Sequence, residues 1–548
     1  MSRGGAGGAG GRPPGPSAAS AEGRAGTGAS GSIGRVARGG ALNTAAAVAG
    51  AALNLGVAVA VARGFDQASA GLLFSATSVF LIASAVAGLG TGSGLVYFLA
   101  RLRALGAPEH APRLLRTALG PVSAAALLGS AALLAAAEPL ALLIGEPGAA
   151  GHLRLLAAFL PFAVVADAAL AATRAYHAMR PTALLDKVGR PLAQLLLIGA
   201  VAGTGSGALL ALGWAGPYLP AAVLACLWLH RLMRTAPAAE PPAGPAAPPA
   251  DGAGAARVGA REFWGFSLPR SAAAVAQIGI QRSGIVLVAA VQGAAAAAVF
   301  TAGTRIMVAG QFAAQAVQFA AGTRLAELLA HGDRAEAGRL YQVSTAWLIC
   351  LTWPLFLPAI AYAPLAMAVF GEGYGTPAGT GVLVVISVAQ LGSAALGMGD
   401  LLLTMAGRTL WNLVNNALAL AVNVALCLLL IPAAGPVGAA LAWAAAIAVR
   451  NLLPLVQLHR ALGVHPFSRR WAAAAAAALL WFGAVPGGCA ALLGAGPGSL
   501  AAALAVGGAG WLCTLWRLRR LLELDGLLPR RRRTRTVSDP PISRKANT

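Results

Sequence analysis

The stretch Leu401–Leu453 reads LLLTMAGRTLWNLVNNALALAVNVALCLLLIPAAGPVGAALAWAAAIAVRNLL, and its pattern decides the fold class. Two apolar runs, Thr409–Ile431 and Val437–Leu453, flank Pro432-Ala-Ala-Gly-Pro436. Each run is close to the ~20 residues that cross ~30 Å of hydrocarbon at ~1.5 Å per helical residue. The Pro/Gly cluster interrupts helical continuity, so the pattern predicts a membrane helical hairpin. Its first limb carries Asn412, Asn415, Asn416 and Asn423, its second Arg450 and Asn451. Amides and a guanidinium at membrane depth are unfavourable against lipid, so they are expected to face protein or water. The asparagine row is read as interhelical hydrogen bonding ahead of ligand contact.

Composition extends this reading to the whole chain. Only 11% of the 548 residues are charged, against about a quarter in soluble domains, and the mean hydropathy is +0.72. An all-α polytopic membrane protein follows. The five cysteines are scattered singly, without CxxC or Cys/His clusters, so neither a disulfide nor zinc is expected.

The periodicity predicts about fourteen spans, near 40–62, 70–98, 114–136, 153–176, 188–204, 207–229, 264–290, 296–321, 341–363, 379–405, 409–431, 437–458, 471–493 and 498–516. Gly203–Gly207 is the sole break between the fifth and sixth. The domain expectation is a disordered cytoplasmic tail at 1–38, a six-helix bundle at 39–232 and a Pro/Ala-rich connector at 233–262. A second six-helix bundle follows at 263–460, a terminal helix pair at 461–517 and a basic cytoplasmic tail at 518–548. The net charge of +22 raises the question of nucleic acid. With both termini inside, however, the arginines concentrate in the inner connections (Arg101, Arg103, Arg180, Arg231, Arg324, Arg460 and the run Arg530–Arg533). That is the positive-inside bias of a multi-pass plasma (inner) membrane protein, and it excludes nucleic acid as the partner. A weak echo between Gly64–Ala76 and Gly293–Ala302 hints at two parallel repeats, which in transporters commonly frame a substrate path. Trp264, Tyr341 and Trp471, near span ends, are read as interfacial anchors.

Several segments carry a family resemblance. Gly407-Arg408, Ile431-Pro432 and Gly435-Pro-Val-Gly438-Ala-Ala-Leu-Ala442 resemble the C-terminal half of bacterial O-antigen and exopolysaccharide flippases, of the multidrug/oligosaccharidyl-lipid/polysaccharide superfamily. GFDQASAGLLFSATSVF at Gly64–Phe80 and GLGTGSGLVYFLAR at Gly88–Arg101 are similar to that family's first loop and second helix. SLPRSAAAVAQIGIQRSGIVLVAAV at Ser267–Val291 resembles its seventh helix, and VFTAGTRI at Val299–Ile306 and VFGEGYGTPA at Val369–Ala378 also fit. The resemblance implies a MATE-like fold of two six-helix bundles plus a terminal pair. It implies translocation of a polyprenyl-diphosphate-linked oligosaccharide, or a related cell-envelope precursor, by alternating access. Membrane lipids and other polysaccharide-assembly proteins would be its partners. One departure stands out: many relatives carry Asp before the seventh-helix Arg, whereas Gln281 precedes Arg282 here.

The chain lacks HExxH, a P-loop, a nucleophile elbow and paired carboxylates, so catalysis is not expected. With no nucleotide or cofactor site, pumping would draw on a proton or sodium gradient, or on that of the substrate. A diphosphate crossing hydrocarbon needs a hydrated cationic cavity, and Arg pairs bidentately with phosphate while staying charged. The expected substrate-binding residues are Arg270, Arg282 and Arg305, with Arg450 and the neighbouring amides Gln277 and Gln281; Arg174 is a further candidate. Pairing with Asp167 or Asp400, or snorkelling, is the competing reading for each arginine. Asp167 and Asp400 are the acids well inside spans and the candidates for ion coupling. Gln311, Gln315 and Gln318 recur at helical spacing, as cavity lining or as helix–helix contact. The alternatives are a lipid II flippase of the same superfamily, a multidrug or cation antiporter, and a membrane scaffold or polymerase. An antiporter would favour acids in its cavity, and a polymerase would need a large outer loop.

Overall fold

The computed structural model describes residues 45–176, 178–204, 206–235 and 258–523. The tail expected at 1–38, most of the connector and most of the basic C-terminal segment lie outside these residues.

Apolar runs with almost no strand-forming alternation give helices throughout. In order they are α1 (Ala45–Gly64), α2 (Gln67–Ala87), α3 (Thr91–Ala104), α4 (Ala111–Ala135), α5 (Ala137–Ile144) and α6 (Ala149–Ala175). A π-helical turn at Thr182–Gly189 leads into α7 (Arg190–Val201), followed by α8 (Gly207–Ala215) and α9 (Tyr218–Thr235). Next come α10 (Ala260–Gln292), α11 (Ala294–Ala330), α12 (Arg334–Ala361), α13 (Ala363–Ala368), α14 (Pro377–Leu396), α15 (Gly399–Met405) and α16 (Thr409–Leu462). The last are α17 (Arg469–Ala478), which runs through a π-helical segment into α18 (Val485–Leu493), and α19 (Pro497–Leu518).

Among the described residues, 11 helical segments are long and apolar enough to cross a membrane. The protein is a multi-pass membrane protein. All fourteen expected spans have a helical counterpart, because α16 folds back into two limbs and α7 and α11 stand beyond those 11.

The opening hairpin is present, with a tighter turn than the Pro/Gly cluster suggested. Helical geometry runs through Pro432 and Pro436, and the reversal is made at Gly435 alone, with φ 54° and ψ −137°. A side chain is strongly disfavoured in that region of the backbone map, so glycine is required. The limbs then lie side by side, held by a reciprocal amide pair: Asn415 Nδ2 donates to Gln457 Oε1 at 2.8 Å and Gln457 Nε2 to Asn415 Oδ1 at 3.0 Å.

Three sequence expectations need correction. The helix expected at 70–98 is broken at Leu89 (φ 47°) and Gly90 (φ 68°). A Cβ on Gly90 would lie 2.3 Å from the Ser267 carbonyl oxygen, so close backbone approach fixes this break. The helix expected at 379–405 is divided into α14 and α15 at Gly397, φ 78°. Tyr341 and Trp471 are not interfacial anchors. Tyr341 is 2% exposed and its hydroxyl donates to the Leu396 carbonyl at 2.6 Å; the Trp471 indole donates to the Ala395 carbonyl at 2.9 Å. Both cap carbonyls freed where α14 ends. The fifth and sixth spans are separate: α7 and α8 fold back on each other, with Gln194 Nε2 donating to the Trp214 carbonyl at 2.7 Å.

The chain forms two compact units. The first comprises the described residues up to Gly64, Ala83–Ala136 and Gly151–Ser271. Its core joins Leu95, Phe98 and Leu102 of α3 to Leu114 of α4, the alanines of α6 and Phe263. The second comprises Phe65–Ile82, Ala137–Ala150 and the described residues from Ala272 onward. There the terminal helices dock on α12 through an alanine face, Ala474, Ala475 and Ala478, against Ala346, Ile349 and Trp353. Small residues let helix backbones approach closely, which is how membrane helices gain packing energy when lipid is as apolar as leucine. Glu523 fastens this docking through Arg339 and Arg470.

Candidate functional site

In the second unit, α10, α11, α12, α14, α15 and the second limb of α16 surround a polar cavity of about 400 Å³. Gln277 and Gln281 enter it from α10, Gln311, Gln315 and Gln318 from α11, and Gln390 from α14. Gln311, Gln315 and Gln318 share one helix face at three- and four-residue spacing, so one helix delivers three amides to one wall. None of the six amides has a hydrogen-bond partner among the described residues. Phe356 and Trp443 supply apolar walls.

The charged lining of this cavity is a closed pair. Arg450 Nε and Nη2 both reach Asp400 Oδ2, at 2.9 and 2.8 Å. Each group is about one-quarter exposed, 24% for Arg450 and 27% for Asp400. The pairing that competed with a substrate role for Arg450 is thus the geometry present. It neutralises the charge that either group would otherwise bring to the cavity.

Arg282 of α10 and Arg305 of α11 lie in the same unit. Arg305 lies 5.4 Å above the Phe74 ring, and the Nε atoms of both arginines are buried. Buried cations favour an anion nearby, and a guanidinium offers it planar, bidentate donors. Arg270 is placed elsewhere, in the first unit. It is exposed, donates to the Phe266 carbonyl at 3.1 Å and lies 3.7 Å over the Phe266 ring.

The first unit has its own pocket, about 240 Å³, lined by Asp167, Arg174 and Asp186 together with Thr91 and Thr182. Asp186 is held by Arg190 at 2.9 Å and Lys187 at 3.1 Å. The Asp167 carboxylate opens onto the pocket and accepts no hydrogen bond among the described residues. The Thr91 and Thr182 hydroxyls are buried, line the same pocket and lack hydrogen-bond partners among the described residues. A carboxylate and two unsatisfied hydroxyls are hard oxygen donors of the kind that hold a small cation or a water-bound proton.

Most of the asparagine row bonds to another helix or limb, as its position suggested, whereas Asn416 bonds Asn412 one turn back on its own helix. Besides the Asn415–Gln457 pair, Asn423 donates to Ser283 Oγ at 2.9 Å, Asn412 to Thr404 Oγ1 at 3.1 Å and Asn416 to Asn412 Oδ1 at 2.7 Å. Sequence reasoning did not single out Gln390, Phe356 and Trp443 in the large cavity, nor Thr91, Thr182 and Asp186 in the small one. Gln390 was detectable as a polar interruption of an apolar run. The threonines carried no signal, because most membrane-helix hydroxyls bond their own backbone, as Thr352 does to Leu348.

No protein-family model and no curated protein matches the chain. Solved structures do. The lipid II flippase MurJ, in an inward closed conformation, matches with a TM-score of 0.66 at 12% identity, over 88% of this chain and 99% of that one. This chain has the fold of such transporters. An inward-facing multidrug resistance MATE family transporter of the MOP superfamily matches with a TM-score of 0.55 at 16% identity, over 74% and 94%. A MOP superfamily transporter from Pyrococcus furiosus, for which a reverse polarity of the binding pocket suggests a different function, gives 0.52 at 16%, over 77% and 95%. The likeness supports the superfamily fold that the sequence motifs implied.

Proposed function

We propose that this chain is a flippase that moves a polyprenyl-diphosphate-linked oligosaccharide, or a related cell-envelope precursor, across the plasma membrane by alternating access. The observation that carries this reading is that two consecutive helices of a membrane protein, α10 and α11, each bury an arginine, Arg282 and Arg305. Such a pair suits a diphosphate, while the lipid tail remains in the bilayer. The glutamine cavity in the same unit suits the glycan. The positive-inside bias supports cytoplasmic termini. Coupling to a proton or sodium gradient is assigned to Asp167, whose carboxylate faces a pocket, ahead of Asp400, which already holds Arg450.

A lipid II flippase is the second reading. The MurJ likeness, which spans 88% of this chain against 74% for the MATE transporter, favours a lipid-linked substrate over a small cation.

The test is translocation of a fluorescent polyprenyl-diphosphate oligosaccharide in proteoliposomes, with and without an imposed proton or sodium gradient. Gradient-stimulated movement is expected. Efflux of small organic cations without lipid movement would replace this reading by the antiporter. Asp167→Asn should remove the gradient dependence while leaving downhill movement; retained dependence would reject Asp167 as the coupling group.

A further inference from the structure

We infer that the glutamine cavity binds an uncharged oligosaccharide, and that the Asp400–Arg450 pair sets this charge selectivity by holding the cavity neutral. The inference deepens the proposed function, on which it rests for naming the ligand as transported cargo.

The argument starts from the six amides. A glutamine side chain offers two N–H donors and one carbonyl acceptor, and it carries no charge. A sugar hydroxyl is likewise donor and acceptor at once. A wall of amides can therefore match a polyhydroxylated surface in several orientations without imposing a charge on it. These six amides converge from three helices and have no partner among the described residues, so their bonding capacity faces the cavity. The asparagines of α16 show the contrast, since each of those donates its amide to the protein.

Two further features fit a carbohydrate. Trp443, 6% exposed, brings an indole to the lining among the amides, and a pyranose pairs an apolar C–H face with its hydroxyl rim. The volume of about 400 Å³ falls in the range of small-molecule sites, about 300–1,000 Å³, and suits a short oligosaccharide segment.

Charge selectivity follows from the ion pair. A carboxylate on the glycan would leave water for a cavity whose lining arginine, Arg450, is already claimed: its Nε and Nη2 both reach Asp400 Oδ2. An uncompensated charge in a semi-enclosed site is costly, so uronic-acid units are disfavoured. Removing the Asp400 charge frees Arg450 and reverses that preference.

The test uses the full chain in lipid nanodiscs and isothermal titration calorimetry. The probes are neutral trisaccharides (maltotriose, cellotriose, chitotriose) and carboxylated ones of equal length (trigalacturonate, triglucuronate). At least one neutral probe should bind, and every carboxylated probe should bind at least tenfold more weakly. Gln281→Ala with Gln315→Ala should lower neutral binding at least tenfold at an unchanged melting temperature. Asp400→Asn should shift the neutral-to-carboxylated ratio at least tenfold toward the carboxylated probes. The double variant Asp400→Asn/Arg450→Gln, neutral again, should return the parental ratio. Should Asp400→Asn alone fail to fold, Arg450→Gln, which leaves a lone carboxylate, should deepen the exclusion of carboxylated probes.

Absence of neutral binding, equal or tighter carboxylate binding by the parent, or a ratio indifferent to both charge variants would overturn the inference. Neutral binding without any lipid translocation in vesicles would instead overturn the transport reading and leave this one standing. Translocation with no charge preference would do the reverse.

Discussion

Two rows of amides lie within one unit of this molecule and do opposite things. Most asparagines in the first limb of α16 are turned into helix–helix contacts, where Asn415 is 1% exposed and paired reciprocally with Gln457. The cavity-lining glutamines of α10 and α11 (Gln277, Gln281, Gln311, Gln315 and Gln318) bond nothing among the described residues. The functional group is the same, and so is the membrane depth expected of both rows. The difference is whether a second helix stands close enough to complete the bond. Where it does, the amide fixes the hairpin. Where six helical segments stand back from one another, the amide is left for a ligand.

That contrast can be broken by mutation, beginning with the largest effect. Arg282→Ala together with Arg305→Ala should reduce lipid translocation by more than about a hundredfold, because charge-assisted hydrogen bonds are worth roughly 1.5–3 kcal/mol each. Expression and melting temperature should persist, and unchanged translocation would detach the guanidinium pair from function. Asn415→Ala should destabilise the protein by about 1–3 kcal/mol, the cost of leaving the half-buried Gln457 amide unsatisfied. Replacing both partners by leucine should recover most of the loss, since interhelical membrane hydrogen bonds average only about 0.6 kcal/mol. Equal losses in the single and double variants, measured by thermal unfolding, would show the seam to be held by packing instead. Gln311→Ala with Gln318→Ala should leave stability within about 0.5 kcal/mol of the parent, as for groups without partners, while transport falls. A stability loss as large as that of Asn415→Ala would erase the distinction between the rows. The smallest destabilisation of the asparagine row is expected for Ser283→Ala, about 1 kcal/mol, the low end of the cost of an unsatisfied buried group, because the buried Asn423 amide loses one bond whose partner was a single hydroxyl.

The fold class was readable because hydrophobic length and positive-inside charge are local properties. A run such as Val437–Leu453 is apolar whatever it packs against. The helix breaks were less legible. Gly90 and Gly397 look like the many other glycines of the chain, and they act as breaks because Ser267 and Thr345 approach them from distant segments. The candidate site was legible in its parts: Gln277, Gln281, Arg450 and Asp400 were singled out and do meet in one cavity. Their roles were not, because the sequence placed Arg450 among ligand groups and the geometry gives it to Asp400. Tyr341 and Trp471 show the same limit, since an amphipathic ring suits an interface and a buried carbonyl equally well.

By itself the sequence determined that this chain crosses a membrane many times, that its hairpin turns within Pro432–Pro436, and that its superfamily motifs run in order along the chain. These follow from the length, polarity and backbone freedom of consecutive residues. Only the tertiary structure decided which polar groups are satisfied by the protein and which remain open. That depends on distances between residues far apart in the chain, such as the 42-residue separation of Asn415 and Gln457 and the 50-residue separation of Asp400 and Arg450.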